Sequence, residues 1–443
     1  MNWKSFFSLI LKMTVMMLFG VGIAVLLLSS VYMIPNSAIE KNVRSSYEIL
    51  NKEGNYFNWL DPEEERKLNS FAYDNFTDSL MLDLAFSKNE KYSNLENAMA
   101  NTHSGWGVEG LGAHFGLEDV DGTEEYSRYW HGYLVFLKPL LCLFNIHGIR
   151  ILVTICHCLL LILNLFLLFK KARKLIVPYL FSLFFINPIT ISQSLQFSSV
   201  FFVSNFAILL LLVYHKKLKE NNKLCLFFFG IGMIATFFDL LTYPIATFCF
   251  PIVLTLFLNN PKTFKEGFFT IVKLAICWGV GYFVFWFAKW AVASIVLKRN
   301  CIAEAIEQVL FRVGNDAGYN SGLKIRFLSI TLSWWMFFSV QNAVALAVLV
   351  VLLVCFFVVN RKNLSWNWKK IAPFLIVILV PFCWNLVLAN HTYMHYWYTF
   401  RGFSGSIFAM LSMLTLCFDS SKNTIIEVKE ISNEKNSSLD SML

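Results

Sequence analysis

The chain has 443 residues, of which 57% are hydrophobic and only 15% charged, with 45 Phe among them. A soluble domain of this length carries far more charged surface, so the composition points to a membrane protein. The net charge of +8 does not indicate nucleic acid, because Lys and Arg fall in short runs between apolar stretches, as at Lys170, Lys171, Arg173 and Lys174. That is the habit of cytoplasmic loops.

A spanning helix needs about 20 apolar residues, since the hydrocarbon layer is ~30 Å thick and a helix rises ~1.5 Å per residue. On that rule the sequence predicts ten spans, near 10–33, 148–169, 175–191, 197–214, 224–242, 243–258, 267–290, 338–359, 371–389 and 398–418. The first apolar stretch, Met13 to Met33, is too long for a signal-peptide core and no small-residue cleavage site follows it. It reads as a retained anchor. Lys4 and Lys12 place the N-terminus inside, and the basic loops at 170–174, 215–223, 261–265 and 361–370 then fall inside as well. An even number of spans returns the C-terminus to the cytoplasm, where the polar residues 419–443 are expected to be disordered.

The expected fold is therefore an all-α polytopic membrane protein with a large, mainly helical first extracellular loop. Residues 1–33 form the N-terminus and first helix, 34–147 an extracellular loop domain with membrane-surface helices, and 148–418 a bundle of about nine helices. Segment 34–128 holds 18 of the 29 acidic residues against 8 Lys and Arg, a net of −10. The other outer connections are Ser192–Gln196, Asp239–Pro244, residues 298–326 and Asn390–Trp397. Leu323–Phe337, with Trp334 and Trp335, reads as an interfacial helix. All ten Cys lie at or after Cys142, without metal spacing, so no disulfide framework is expected.

Four stretches carry candidate chemistry. In Tyr73-Asp74-Asn75-Phe76-Thr77-Asp78, a helix would put Asp74 and Asp78 on one face at i and i+4. Two carboxylates so placed can separate their pKa values and leave one as a general base. The same residues also suit a capped helix start, with Asp74 or Thr77 as the cap. In Arg128-Tyr129-Trp130-His131-Gly132-Tyr133, a helix would present Arg128 and His131 together. A guanidinium and an imidazole at a headgroup boundary suit a phosphate, or an aromatic belt touching ordinary lipid.

Asp239 is the one acid inside a predicted span, near Pro244, and either lines a cavity or pairs with Lys289 or an Arg. At the tip Asn390–Tyr398, His391 and His395 have the i, i+4 spacing of helical zinc ligands, but no Glu stands between them and no third ligand is evident. Contact with phosphate or sugar fits better, since Arg401 and several aromatics stand beside them. No Gly-rich phosphate loop is present, and Gly230, Gly232, Gly279 and Gly281 fit close helix packing. No cofactor and no resident metal are expected.

Taken together, the Asp74–Asp78 stretch, the Arg-Tyr-Trp-His-Gly-Tyr run, Leu143-Phe144-Asn145, Arg150-Ile151-Leu152 and the Asn-His…His…Arg tip resemble the GT-C superfamily of membrane glycosyltransferases. The nearest likeness is to an uncharacterised group in Gram-positive bacteria. The resemblance implies transfer of a sugar, with inversion, from a polyprenyl-phosphate donor to a cell-envelope polysaccharide, teichoic acid or lipid-linked glycan at the outer face of the plasma membrane. It implies Asp78, preferred over Asp74, as the base. The chain departs from the family in placing its acid about forty residues beyond the first span. On physical grounds Arg128, His131, Arg150, His391, His395 and Arg401 are the cations available to a leaving phosphate, with Asp239 and Lys289 as further substrate contacts. A flippase of lipid-linked saccharide and an O-antigen-type polymerase or ligase are the alternatives.

Overall fold

A computed structural model describes residues 3–61, 69–119, 122–316, 321–338, 340–361 and 367–417. The tail 419–443 therefore lies outside the described residues. The first helix, α1 (Trp3–Val31), is an apolar run that satisfies its backbone hydrogen bonds internally. Pro35 then opens α2 (Asn36–Glu53), whose buried residues Ile39, Val43, Tyr47 and Leu50 recur at helical spacing along one face. Gly54, at φ 75°, ends it.

A short hairpin of β1 (Tyr56–Asn58) and β2 (Ala72–Asp74) follows, pairing Tyr56 with Asp74. Asp74 caps α3 (Asn75–Phe86) through the Thr77 N–H, and Ser93 with Glu96 forms a capping box on α4 (Asn94–Ala100). Strand β3 (Thr102–His103), α5 (Gly107–Ala113), strand β4 (Glu124–Glu125) and α6 (Leu134–Leu141) complete the loop domain.

The bundle comprises α7 (Ile146–Lys171), α8 (Ile176–Phe184), α9 (Pro188–Gln193), α10 (Leu195–Leu218), α11 (Lys223–Phe238), α12 (Ala246–Asn259) and α13 (Phe264–Leu297). After it come α14 (Cys301–Val313), α15 (Leu323–Phe337), α16 (Val340–Asn360), α17 (Trp368–Val387), α18 (Ala389–Met394), α19 (Tyr396–Thr399) and α20 (Ser404–Leu416). Among the described residues, five helices are long and apolar enough to cross a bilayer: α1, α7, α10, α13 and α17. Helices α11 and α12 and the Leu346–Val359 part of α16 are apolar but shorter.

Two expected spans are interrupted. The 175–191 stretch breaks at Asn187, in the left-handed region at φ 59°, giving α8 of 9 residues and α9 of 6. The 398–418 stretch begins with short turns over Tyr396–Thr399 and Phe400–Phe403, leaving α20 with 13 residues. At ~1.5 Å per residue that is about 20 Å, short of a ~30 Å hydrocarbon layer. The helix Leu323–Phe337 has the limits read from the sequence.

Helices α11 and α13 cross where each offers a glycine to the other's backbone. A Cβ on Gly232 would meet the Trp278 carbonyl oxygen at 2.2 Å, and one on Gly281 the Phe229 carbonyl oxygen at 2.1 Å. This is small-residue packing of the kind membrane helices use. Gly279, by contrast, faces open space.

The bundle has two unlike ends. One carries Ser5 bonded to Asn222 and His215 bonded to Asn259, with the Lys- and Arg-rich connections beside them. On the other sits the loop domain, fixed by Tyr32 Oη to the Leu84 carbonyl at 3.3 Å, Ile146 N to Ser46 Oγ at 2.8 Å and Gly132 N to the Phe237 carbonyl at 2.8 Å.

Candidate functional site

The loop-domain end concentrates the buried polar groups. Asp74, Asp78 and Asp83 all belong to α3 or its cap, and all three are buried. Each carboxylate is held differently. Asp83 accepts the Ser104 N–H at 2.9 Å, the Ser87 hydroxyl at 2.6 Å and His114 Nε2 at 2.7 Å. Asp78 accepts the Leu195 and Gln196 N–H groups at 3.0 and 3.2 Å, sealing the start of α10, where orphan amides and the helix dipole favour an anion. Asp74 accepts the Thr77 N–H at 3.2 Å and the side-chain amide of Gln196. Burial raises Asp74 to about 6, opposed by the Thr77 hydrogen bonds, and Asp78 to about 7, opposed by the Arg150 charge.

Most of the cations singled out in the sequence are committed to the protein. Arg150 pairs with Glu53 at 2.9 Å and donates to Asn75 Oδ1 at 2.7 Å. Arg401, fully buried, donates to the carbonyls of Ser70, Ile186 and Trp397 at 3.1, 3.1 and 3.3 Å. It ties the hairpin loop to the tip. Lys289 donates to the Ala98 and Met99 carbonyls and Asn101 Oδ1 at 3.2, 3.0 and 3.2 Å, docking α13 onto the end of α4. Lys289 is thus not the partner of Asp239. Asp239, just beyond α11, accepts the N–H and hydroxyl of Thr242 and closes the turn before Pro244.

The run Arg128–Tyr133 is not helical. His131 stands in the left-handed region at φ 54°, so it and Arg128 do not share a helix face. Its ring accepts from the Tyr133 hydroxyl at 2.9 Å and donates to the Tyr126 carbonyl at 3.0 Å. Burial, followed by the Lys289 charge, lowers its pKa to about 3, so the ring is neutral at pH 7. His391 has both ring nitrogens engaged, Nε2 with the Leu241 carbonyl at 2.7 Å and Nδ1 with Arg312 at 2.5 Å. Burial and the Arg312 charge lower His395 to about 3. Neither histidine offers a positive charge, and His391 has no nitrogen left for zinc.

Arg312, on α14, escaped the sequence reading. Among the described residues it has no ion pair, and its hydrogen bond goes to the neutral His391. It lines a small crevice of about 10 Å³, room for a single water, together with Arg128, Tyr129, Trp286, Trp290, Ala305, Gln308 and Val309. Arg128 in the same pocket is neutralised by Glu304 at 2.7 Å. Tyr398 lies within electrostatic reach of Arg312, Asp74, Tyr129 and Asp239, and Asp74 is also within reach of Arg401. No motif marks Arg312 among the basic residues of the outer segment 298–326.

The exposed residues of α14 include Ile306, Leu310 and Phe311, 45%, 63% and 45% exposed, while Gln308 and Arg312 face the crevice. Glu307 is exposed beside them, and Ala305 and Val309 line the crevice as well, so each face of α14 is mixed. Fold and site together define an all-α protein with helices apolar enough to cross a membrane and a concentration of buried polar groups at one end. No family model, curated protein or solved structure matches the chain.

Proposed function

We propose that this chain is a membrane glycosyltransferase that transfers a sugar from a polyprenyl-phosphate donor to a cell-envelope glycan on the extracytoplasmic side. The observation that carries the reading is that Arg312, with no ion pair among the described residues, and the buried Asp74 and Asp239 all lie within electrostatic reach of Tyr398. Charge separation of this kind suits a reaction that takes up a proton at one place and releases an anion at another. The basic connections at the far end of the bundle favour that end as cytoplasmic, which puts the pocket outside. The exposed Ile306, Leu310 and Phe311 of α14 support a donor that arrives from the bilayer.

In this mechanism a carboxylate at the start of α3 takes the proton of an acceptor hydroxyl. The freed oxygen pair bonds to the anomeric carbon from the face opposite the phosphate. The carbon–oxygen bond to phosphate breaks, and polyprenyl phosphate departs with that electron pair toward Arg312. Asp74 is favoured over Asp78 as the base. A swing of the Gln196 side chain frees Asp74 Oδ2 while Oδ1 keeps the Thr77 N–H and the cap of α3, whereas freeing either oxygen of Asp78 uncovers a backbone amide that opens α10.

The test compares envelope glycans of a deletion strain, its parent and strains complemented with wild type or Asp74→Asn, by composition and linkage. The expected result is loss of one sugar, restored by wild type alone. Unchanged glycans would remove the proposal. Donor trapped on the cytoplasmic side would instead mark a flippase, and shortened chains of unchanged composition a polymerase.

A further inference from the structure

The loop domain exposes aromatic surface in an ordered form. The rings of Tyr56 and Phe76 lie 13° from parallel with centroids 6.1 Å apart, and those of Phe76 and Trp106 10° from parallel with centroids 6.4 Å apart. Parallel rings at such separations are offset, so the three make a stepped row rather than a closed stack. Trp106 is 41% exposed at one end, while Phe76 and Tyr56 are half-buried. At the other end Tyr56 faces Asp74 across the hairpin and meets Trp397 edge-on at 5.3 Å.

The row is held in place by backbone that only glycine fits. Gly107 has φ +68°, and a Cβ there would lie 2.8 Å from Phe76 Cδ2 and 2.7 Å from Asn55 Oδ1. Asn55 in turn donates to the exposed Glu109 at 3.2 Å and accepts the Val108 N–H at 3.0 Å, so an amide and a carboxylate edge the rings. Flat apolar steps rimmed by hydrogen-bonding groups match a sugar ring, which has C–H faces and hydroxyl edges. The segment 34–128 also has 18 acidic residues against 8 basic, which repels a polyanionic chain.

We propose that Tyr56, Phe76 and Trp106 form the binding platform for an uncharged glycan chain, whose end is presented beside Asp74. This rests on the transferase reading only for the statement that the bound glycan is the acceptor; it then excludes teichoic-acid-like polyol phosphates, which lack ring faces and carry repelled charge. The platform itself stands on geometry.

The experiment measures binding of the full chain in nanodiscs to short neutral hexose and N-acetylhexosamine oligosaccharides, with poly(glycerol phosphate) as competitor. Wild type binds at least one neutral oligosaccharide, and Trp106→Ala weakens it about tenfold, as loss of one stacked ring implies. Trp106→Phe keeps most of the affinity, and poly(glycerol phosphate) does not compete. Absence of binding across the panel, equal binding by Trp106→Ala, or displacement by poly(glycerol phosphate) each overturns the platform. Arg312→Ala should bind glycan as wild type does. Glycan binding that survives while no transfer is ever found would sink the transferase reading and leave the platform standing.

Discussion

Arg150 and Arg312 both belong to the loop-domain end of the molecule, and they live in opposite electrostatic circumstances. Arg150 has Glu53 at 2.9 Å and Asn75 at 2.7 Å, and Asn75 returns a hydrogen bond to Glu53 at 2.9 Å. Among the described residues Arg312 has the His391 imidazole as its hydrogen-bond partner and no ion pair, with Tyr129, Tyr126, Tyr398 and Tyr282 in electrostatic reach. A guanidinium cannot shed its proton to escape burial, so its charge must be met by something. Where the protein supplies the anion, the cation is a girder. Where it does not, the cation is open to a ligand on the proposed reading; likewise both oxygens of Asp78 seal a helix start, whereas Asp74 caps α3 with one oxygen and holds the Gln196 side chain with the other.

The sharpest break of this contrast is at the acids. Asp74→Asn should lower transfer by roughly 100- to 10,000-fold, the range for losing a general base. The base must be ionised, so in wild type kcat/KM should fall as pH drops through the pKa of the group that serves. Burial raises both, Asp74 to about 6 and Asp78 to about 7, so the limb belongs between pH 6 and 7 and the variant that loses it identifies the base. A limb near pH 7, lost in Asp78→Asn and kept in Asp74→Asn, would return the role to Asp78.

The two arginines come next, because they should fail in different ways. Arg312→Ala removes a cation aimed at a leaving phosphate and should cost roughly 100- to 1,000-fold in transfer. Its thermal midpoint should fall less than that of Arg150→Ala, since it breaks a hydrogen bond to His391 but no ion pair among the described residues. Arg150→Ala leaves Glu53 facing Asn75 alone and should cost about 3 kcal/mol of stability, near the low end for a buried pair because Glu53 keeps 20% of its side-chain surface. Calorimetry beside a transfer assay reads both. Equal destabilisation by the two variants would erase the distinction.

The class of the protein was legible because lipid imposes a simple rule on long apolar helices, and α1, α7, α10, α13 and α17 obey it. Hydropathy was less able to see where an apolar run changes direction. Asn187 divides 175–191, and Arg401 sits in a turn whose carbonyl partners come from Ser70 and Ile186, far off in sequence. The caps were readable too: Asp74 takes the capping place that the sequence allowed it, and Leu323–Phe337 is a helix. Charges were misjudged for a single reason. A sequence lists cations but not their partners, so Arg401 and Lys289 looked available and Arg312 did not stand out.

Asn145 offers the mildest test, and it probes whether a residue in a family-like motif is there for chemistry at all. It was read as part of the Leu143-Phe144-Asn145 signature, yet its Oδ1 accepts the Gly148 N–H at 3.1 Å and caps α7. Its amide donates to Ser45 Oγ at 3.1 Å, joining α7 to α2. Both contacts are local supports, so Asn145→Ala should cost about 1 kcal/mol of stability, the usual value of a cap. Asn145→Asp keeps the accepting oxygen and should recover most of it, by denaturant titration in detergent. Transfer per folded molecule should match wild type in both variants. If Asn145→Ala instead lost transfer at unchanged stability, the residue would touch substrate, and girders and ligand-seeking groups would not divide as Arg150 and Arg312 do.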